Sequence, residues 1–99
     1  LRYYSKGGVV VRDDEKRFLV DIYTHCTTYY ADPPRIGTKN PRVIINEPGF
    51  YMHYKRAWYL LEKWCGKDWY EYGTTLDRGW LTTKGIEAAE NVLQKEVIL

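Results

Sequence analysis

The sequence predicts a small α+β domain, and three features carry that prediction. Apolar residues recur at helical spacing over about 50–65 and again beyond residue 82, two short alternating segments flank a turn within 69–82, and a proline-rich break separates both from a strand-forming amino-terminal part. The 99 residues suffice for one hydrophobic core and not for two, so a single domain over 1–99 is expected. Hydrophobic residues make up 44% of the chain and aromatic residues 16%, with 10 Tyr and 4 Trp, a composition that excludes disorder as the general state.

The elements follow in order. Residues 1–12, LRYYSKGGVVVR, join aromatic and β-branched residues around Gly7-Gly8, as in a bent strand or the start of a hairpin. Residues 13–30, DDEKRFLVDIYTHCTTYY, carry two signals. Phe18, Leu19, Ile22, Cys26 and Tyr29 have helical spacing, with Asp13 as cap and Asp14 and Glu15 in the first turn. Phe18, Val20, Ile22 and Thr24 alternate instead as a strand does, and the density of Val, Ile, Thr and Tyr favours a hairpin over 7–27 with RDDEKR as its turn. Residues 31–42, ADPPRIGTKNPR, hold three of the four prolines and form a loop, basic through Arg35, Lys39 and Arg42. Val43, Ile44 and Ile45 then predict a short buried strand, and NEPG at 46–49 a turn into a helix.

That helix, over about 50–65, is assigned an apolar face of Tyr54, Ala57, Trp58, Leu61, Trp64 and Cys65, with Lys55, Glu62 and Lys63 away from it. Gly66 is placed to end it in the left-handed conformation. DWYEYG and RGWL pair as a hairpin around TTLD, and at Thr82 or Thr83 the chain enters a last helix. Its face is Ile86, Ala89, Leu93 and Val97, and Glu87 and Glu90 lie towards its amino end, where the macrodipole favours them.

Charge is unevenly distributed along the chain. Residues 1–67 hold 12 Lys and Arg against 7 Asp and Glu, whereas 68–99 hold 3 against 6, a basic part followed by an acidic one. No apolar run approaches the ~18 residues of a membrane span, and no leader layout begins the chain, so a cytoplasmic protein without membrane contact is expected. A single Ser and a single Gln beside abundant charge fit a protein from a hot environment. Cys26 and Cys65 are expected as a pair of buried thiols, with a bridge between them as the alternative.

Enzyme chemistry finds no footing. His25, Cys26, His53 and Cys65 lack the paired spacing of a zinc site, and no third group orients a Cys-His nucleophile. Asp13, Asp14 and Glu15 match a paired-acid site in composition alone, and no glycine loop has phosphate-cradling spacing. No cofactor, metal or catalytic residue is expected.

From residue 51 to 97 the chain spells helix, glycine, strand, turn, strand, helix, and this half resembles the second half of winged helix-turn-helix domains. LLEKWCG is similar to the end of a recognition helix, DWYEY and RGW to the two wing strands, and W-L-T-T-K-G to the exit into a trailing helix. In that exit Thr caps the new helix, Leu is buried under the hairpin and Gly permits close packing. The resemblance implies a winged-helix transcriptional regulator that contacts double-stranded DNA, with a homodimer as the expected assembly because one module gives limited contact area. Lys55, Arg56, Tyr59 and Lys63 would then face a major groove, Lys67 and Arg78 flanking phosphates, and Arg35, Lys39 and Arg42 the backbone. Two departures stand against it: two clean helices are missing before residue 50, and the helix over 50–65 is loaded with Tyr and Trp. The rival expectation is a non-enzymatic protein-protein interaction module, such as a viral or mobile-element accessory protein, that uses a Tyr- and Trp-rich surface.

Overall fold

A helix, not a hairpin, begins the described chain. The computed structural model describes residues 13–97, and the strand expected over 1–12 lies outside them. Helix α1, Asp13–His25, buries Glu15, Phe18, Leu19 and Ile22, whereas Val20 is only half-buried and Thr24 is exposed. The alternation of a strand would have buried Val20 and Thr24 together with Phe18 and Ile22 and exposed Leu19. What overrides β-propensity is tertiary contact: the acidic run read as a turn is the first turn of α1, and its side chains are tied to a later helix.

Residues 26–40 are irregular, beginning five residues before the loop expected over 31–42, but pinned. Isolated bridges join Cys26 to Lys39 and Thr28 to Arg35, and the Gly37 amide donates to Thr27 Oγ1 at 3.0 Å. The segment then enters α2, Pro41–Ile45, where a strand was expected. Asn40 and Pro41 give the reason. The Asn40 side chain accepts from the Val43 amide at 3.0 Å, and proline's fixed φ suits the first helical position. Ile44 and Ile45 are buried as predicted, and Val43 faces outward.

Helix α3, Tyr54–Gly66, starts about a turn later than expected, with the His53 ring nitrogen accepting from the Lys55 amide. Its buried face is Ala57, Leu60, Leu61 and Trp64, so the helix is rotated from the assigned face and Tyr54 and Trp58 point outward. Gly66 is its last residue and is not left-handed. The left-handed residue is Asp68, at φ 65°. Around it the Trp69 amide donates to the Trp64 carbonyl at 2.8 Å and the Asp68 amide to the Cys65 carbonyl at 3.1 Å, the hydrogen-bond pair of a Schellman stop. Asp tolerates this backbone better than most residues.

The expected hairpin is present as β1, Tyr70–Tyr72, antiparallel to β2, Gly79–Leu81, with Tyr70 opposite Leu81 and Glu71 opposite Trp80. A 3-10 turn, Leu76–Arg78, lies between them. The Tyr70 hydroxyl organises the connection, donating to the Leu76 carbonyl at 2.6 Å and accepting from the Gly79 amide at 2.8 Å. Helix α4, Thr83–Val97, follows as predicted: Thr82 Oγ1 accepts from the Gly85 amide at 3.2 Å, Leu81 is buried, and a Cβ at Gly85 would overlap the Trp69 carbonyl. Ile86 and Ala89 join the core and Leu93 is half-buried, while the Val97 side chain lies outside the described set.

The described residues form a small compact α+β fold of four helices and a two-stranded antiparallel sheet. Helix α1 packs on α4, and α3 packs on β1 and the 3-10 turn. Phe18, Ile22, Leu60, Leu61, Trp64 and Leu81 form the centre of the core.

Candidate nucleic-acid interface

The nine residues expected to grip nucleic acid divide according to what already holds them. On α3, Arg56 and Lys63 turn inward to the first turn of α1. Arg56 donates twice to the Asp14 carboxylate, at 2.8 and 3.1 Å, and Lys63 reaches Glu15 at 3.1 Å. The hydrogen bond to Asp14 raises the Arg56 pKa above its ordinary value, against a smaller opposing effect of burial. Lys55 and Tyr59 are exposed, and the Lys55 ammonium makes no ion pair with a described residue.

In the irregular segment, Arg35 donates to the Tyr23 carbonyl and lies over the Tyr23 ring at 5.0 Å. Lys39 pairs with Glu47 at 2.5 Å. Arg42 belongs to α2, not to the loop, and approaches Asp77 beside the hairpin at 4.0 Å. Lys67, at the carboxyl end of α3, lies 4.4 Å above the Trp69 ring, and Arg78 is exposed at the end of the 3-10 turn. Lys55, Lys67 and Arg78 therefore remain without a described carboxylate partner. Of the rest, Arg35 is occupied by Tyr23, and Lys39, Arg42, Arg56 and Lys63 are occupied by acids.

Two exposed aromatics on α3, Tyr54 and Trp58, were assigned to the core from the sequence. Together with Lys55, Tyr59 and Glu62 they form the helix's outer face. Adjacent Leu60 and Leu61 were the available signal for the true orientation. With Ala57 and Trp64 they make a compact 57/60/61/64 stripe that outcompetes a face including Tyr54 and Trp58.

A second feature is an aromatic latch across the hairpin. Glu71 Oε1 accepts from the Tyr30 hydroxyl at 2.5 Å and the Trp80 indole at 2.9 Å, and the Tyr29 ring meets Trp80 edge-on at 5.1 Å. It fastens the irregular segment to the hairpin. The Tyr30 bond first, then the Trp80 bond, lower the Glu71 pKa. A lowered carboxylate contributes stability that is complete above the ordinary glutamate range and is lost as pH falls through the folded value. The difference in urea midpoint between the wild-type chain and Glu71→Gln is therefore expected to be constant near pH 7 and to shrink as pH falls below the ordinary glutamate range. An undiminished difference in acid would show that the carboxylate charge plays no part in the latch.

Both cysteines are thiols, with Cys26 buried and Cys65 half-buried. Burial pushes the Cys26 pKa up to about 12 and raises that of Cys65, so neither is a thiolate nucleophile at neutral pH. Among the described residues no three His, Cys, Asp or Glu side chains converge as metal ligands do. No helix among them is long and apolar enough to cross a membrane. Comparison with protein-family models, curated proteins and solved structures gives no match for the chain.

Proposed function

We propose that the chain is a small winged-helix-type regulator that binds duplex DNA, with α3 as the groove-facing helix and the hairpin beside it as the wing. The observation that carries this reading is the order of elements. Helix α1 and the five-residue helix α2 precede α3, and the hairpin and a capped trailing helix follow, an order that supports the reading. α3 rests against β1 and the 3-10 turn, while its outer side stays open. Lys55, Lys67 and Arg78 are the groups best able to neutralise phosphate, because contact with DNA does not require them to leave a described carboxylate.

The test is binding of short random-sequence duplexes, followed by fluorescence anisotropy between about 50 and 200 mM salt. Affinity is expected to fall steeply with salt, and Lys55→Ala, Lys67→Ala and Arg78→Ala are each expected to flatten the log-log slope by about 0.9. Absence of binding at low salt, or binding indifferent to salt, would overturn the proposal.

A second reading, the protein-interaction module, is favoured by the outward rings of Tyr54, Trp58 and Tyr59, since aromatic side chains anchor protein interfaces. It predicts a protein partner retained after nuclease treatment and lost on Trp58→Ala, with no effect of Arg78→Ala.

A further inference from the structure

We infer that the outer face of α3 reads the major groove through the 5-methyl groups of pyrimidines, thymine above all, rather than through bidentate hydrogen bonds to base edges. The inference rests on the DNA-binding reading and specifies what that site recognises.

The face consists of two columns at four-residue spacing: Tyr54, Trp58 and Glu62 in one, Lys55 and Tyr59 in the other. Of the side chains that read base edges bidentately, Arg, Lys, Asn and Gln, this face carries Lys55 alone. The one arginine of α3 is held by both oxygens of Asp14. The face offers apolar ring surface instead: Tyr54 is 55% exposed, Trp58 37% and Tyr59 56%. In the major groove the thymine methyl is the group that apolar side chains recognise. Tyr54 is also held in place before any partner arrives, because the His53 ring packs against it with centroids 4.7 Å apart while His53 Nδ1 is engaged by the Lys55 amide. Preorganised rings lose little freedom on binding.

Charge argues for a polyanion over an apolar protein surface. Lys55 stands among the rings, the positive end of the helix dipole lies beneath them, and Lys67 and Arg78 flank the element without described carboxylate partners. Glu62 is the anion of the face and repels phosphate there, which favours base contact by this face through its first two turns. A helix about 10–12 Å across fits a major groove about 12 Å wide.

The experiment compares four short duplexes at one low salt concentration: alternating A·T, alternating A·U, alternating G·C, and G·C carrying 5-methylcytosine. The methylated member of each pair is expected to bind more tightly, by about fourfold per methyl buried. Trp58→Ala and Tyr59→Ala, exposed positions whose folding circular dichroism checks, are expected to erase the difference within pairs, and Lys55→Ala to weaken all four alike. Equal affinity within both pairs overturns the inference and leaves the DNA-binding reading standing. A difference confined to the A·T and A·U pair reports duplex shape and also overturns it. Failure to bind any duplex overturns the DNA-binding reading itself, and this inference with it.

Discussion

Trp64→Ala is expected to be the most damaging single substitution in the described core, costing about 3–5 kcal/mol of stability. Small domains hold only about 5–15 kcal/mol in total, so the variant should be largely unfolded under mild heating. Two losses combine at this site. The indole is fully buried and packs against Phe18 with ring centroids 5.4 Å apart, so truncation opens a cavity at the centre of the core. Its Nε1 also donates to Glu15 Oε2 at 3.0 Å, and Glu15 is itself buried, leaving that oxygen without its donor. Trp64→Phe separates the two effects. It keeps much of the ring packing but removes the donor, and is expected to cost about 1–3 kcal/mol. Urea midpoints with unchanged slopes would establish both values. If Trp64→Phe matched the wild-type protein, the bond to Glu15 would be of no consequence and Lys63 alone would satisfy that carboxylate.

The same contact explains why the sequence was legible in its second half and misleading in its first. From β1 onward structure is set locally: Thr82 caps from one residue away, Tyr70 and Leu81 face each other across a short turn, and Gly85 lies three residues beyond its cap. Such signals are contained within a short window. Helix α1 depends instead on partners 42 to 49 residues distant, since Asp14 answers Arg56 and Glu15 answers Trp64. A window around DDEKR cannot reveal that pairing, so β-propensity misled there. The strand expected at Val43-Ile45 failed for the opposite reason, because the local Asn40-Pro41 start signal was decisive and was given too little weight.

Part of the candidate site was hidden by this non-local pairing. Composition distinguishes charged from apolar residues but not free cations from engaged ones. Arg56 and Lys63 have the same sequence character as Lys55, yet α1 recruits the first two and leaves the third exposed. Trp58 was assigned inward as part of an apolar face at helical spacing, but of the two tryptophans of α3 only Trp64 is buried. The candidate interface is therefore less basic and more aromatic than the sequence suggested.

Two glycine substitutions should move stability in opposite directions, with the larger effect at Gly85. Intrinsic helix propensity favours alanine over glycine by about 1 kcal/mol at either position, so propensity alone predicts that both variants gain. At Gly66 nothing opposes that gain. The residue ends α3 without a left-handed backbone and no atom would crowd an added Cβ, so Gly66→Ala is expected to stabilise by about 0.4–1 kcal/mol. At Gly85 the Cβ would overlap the backbone carbonyl of Trp69, a group that cannot rotate aside as a side chain does. That carbonyl also accepts from the Thr82 amide at 2.9 Å, so relieving the overlap strains the junction that joins hairpin to helix. Steric conflict should exceed the propensity gain, and Gly85→Ala is expected to destabilise by about 1–3 kcal/mol. Thermal and urea unfolding of the two variants decide the matter. A stabilised Gly85→Ala protein would mean that α4 does not approach Trp69 this closely, and the hairpin would then lack the rigid seat on α4 that a wing beside α3 requires.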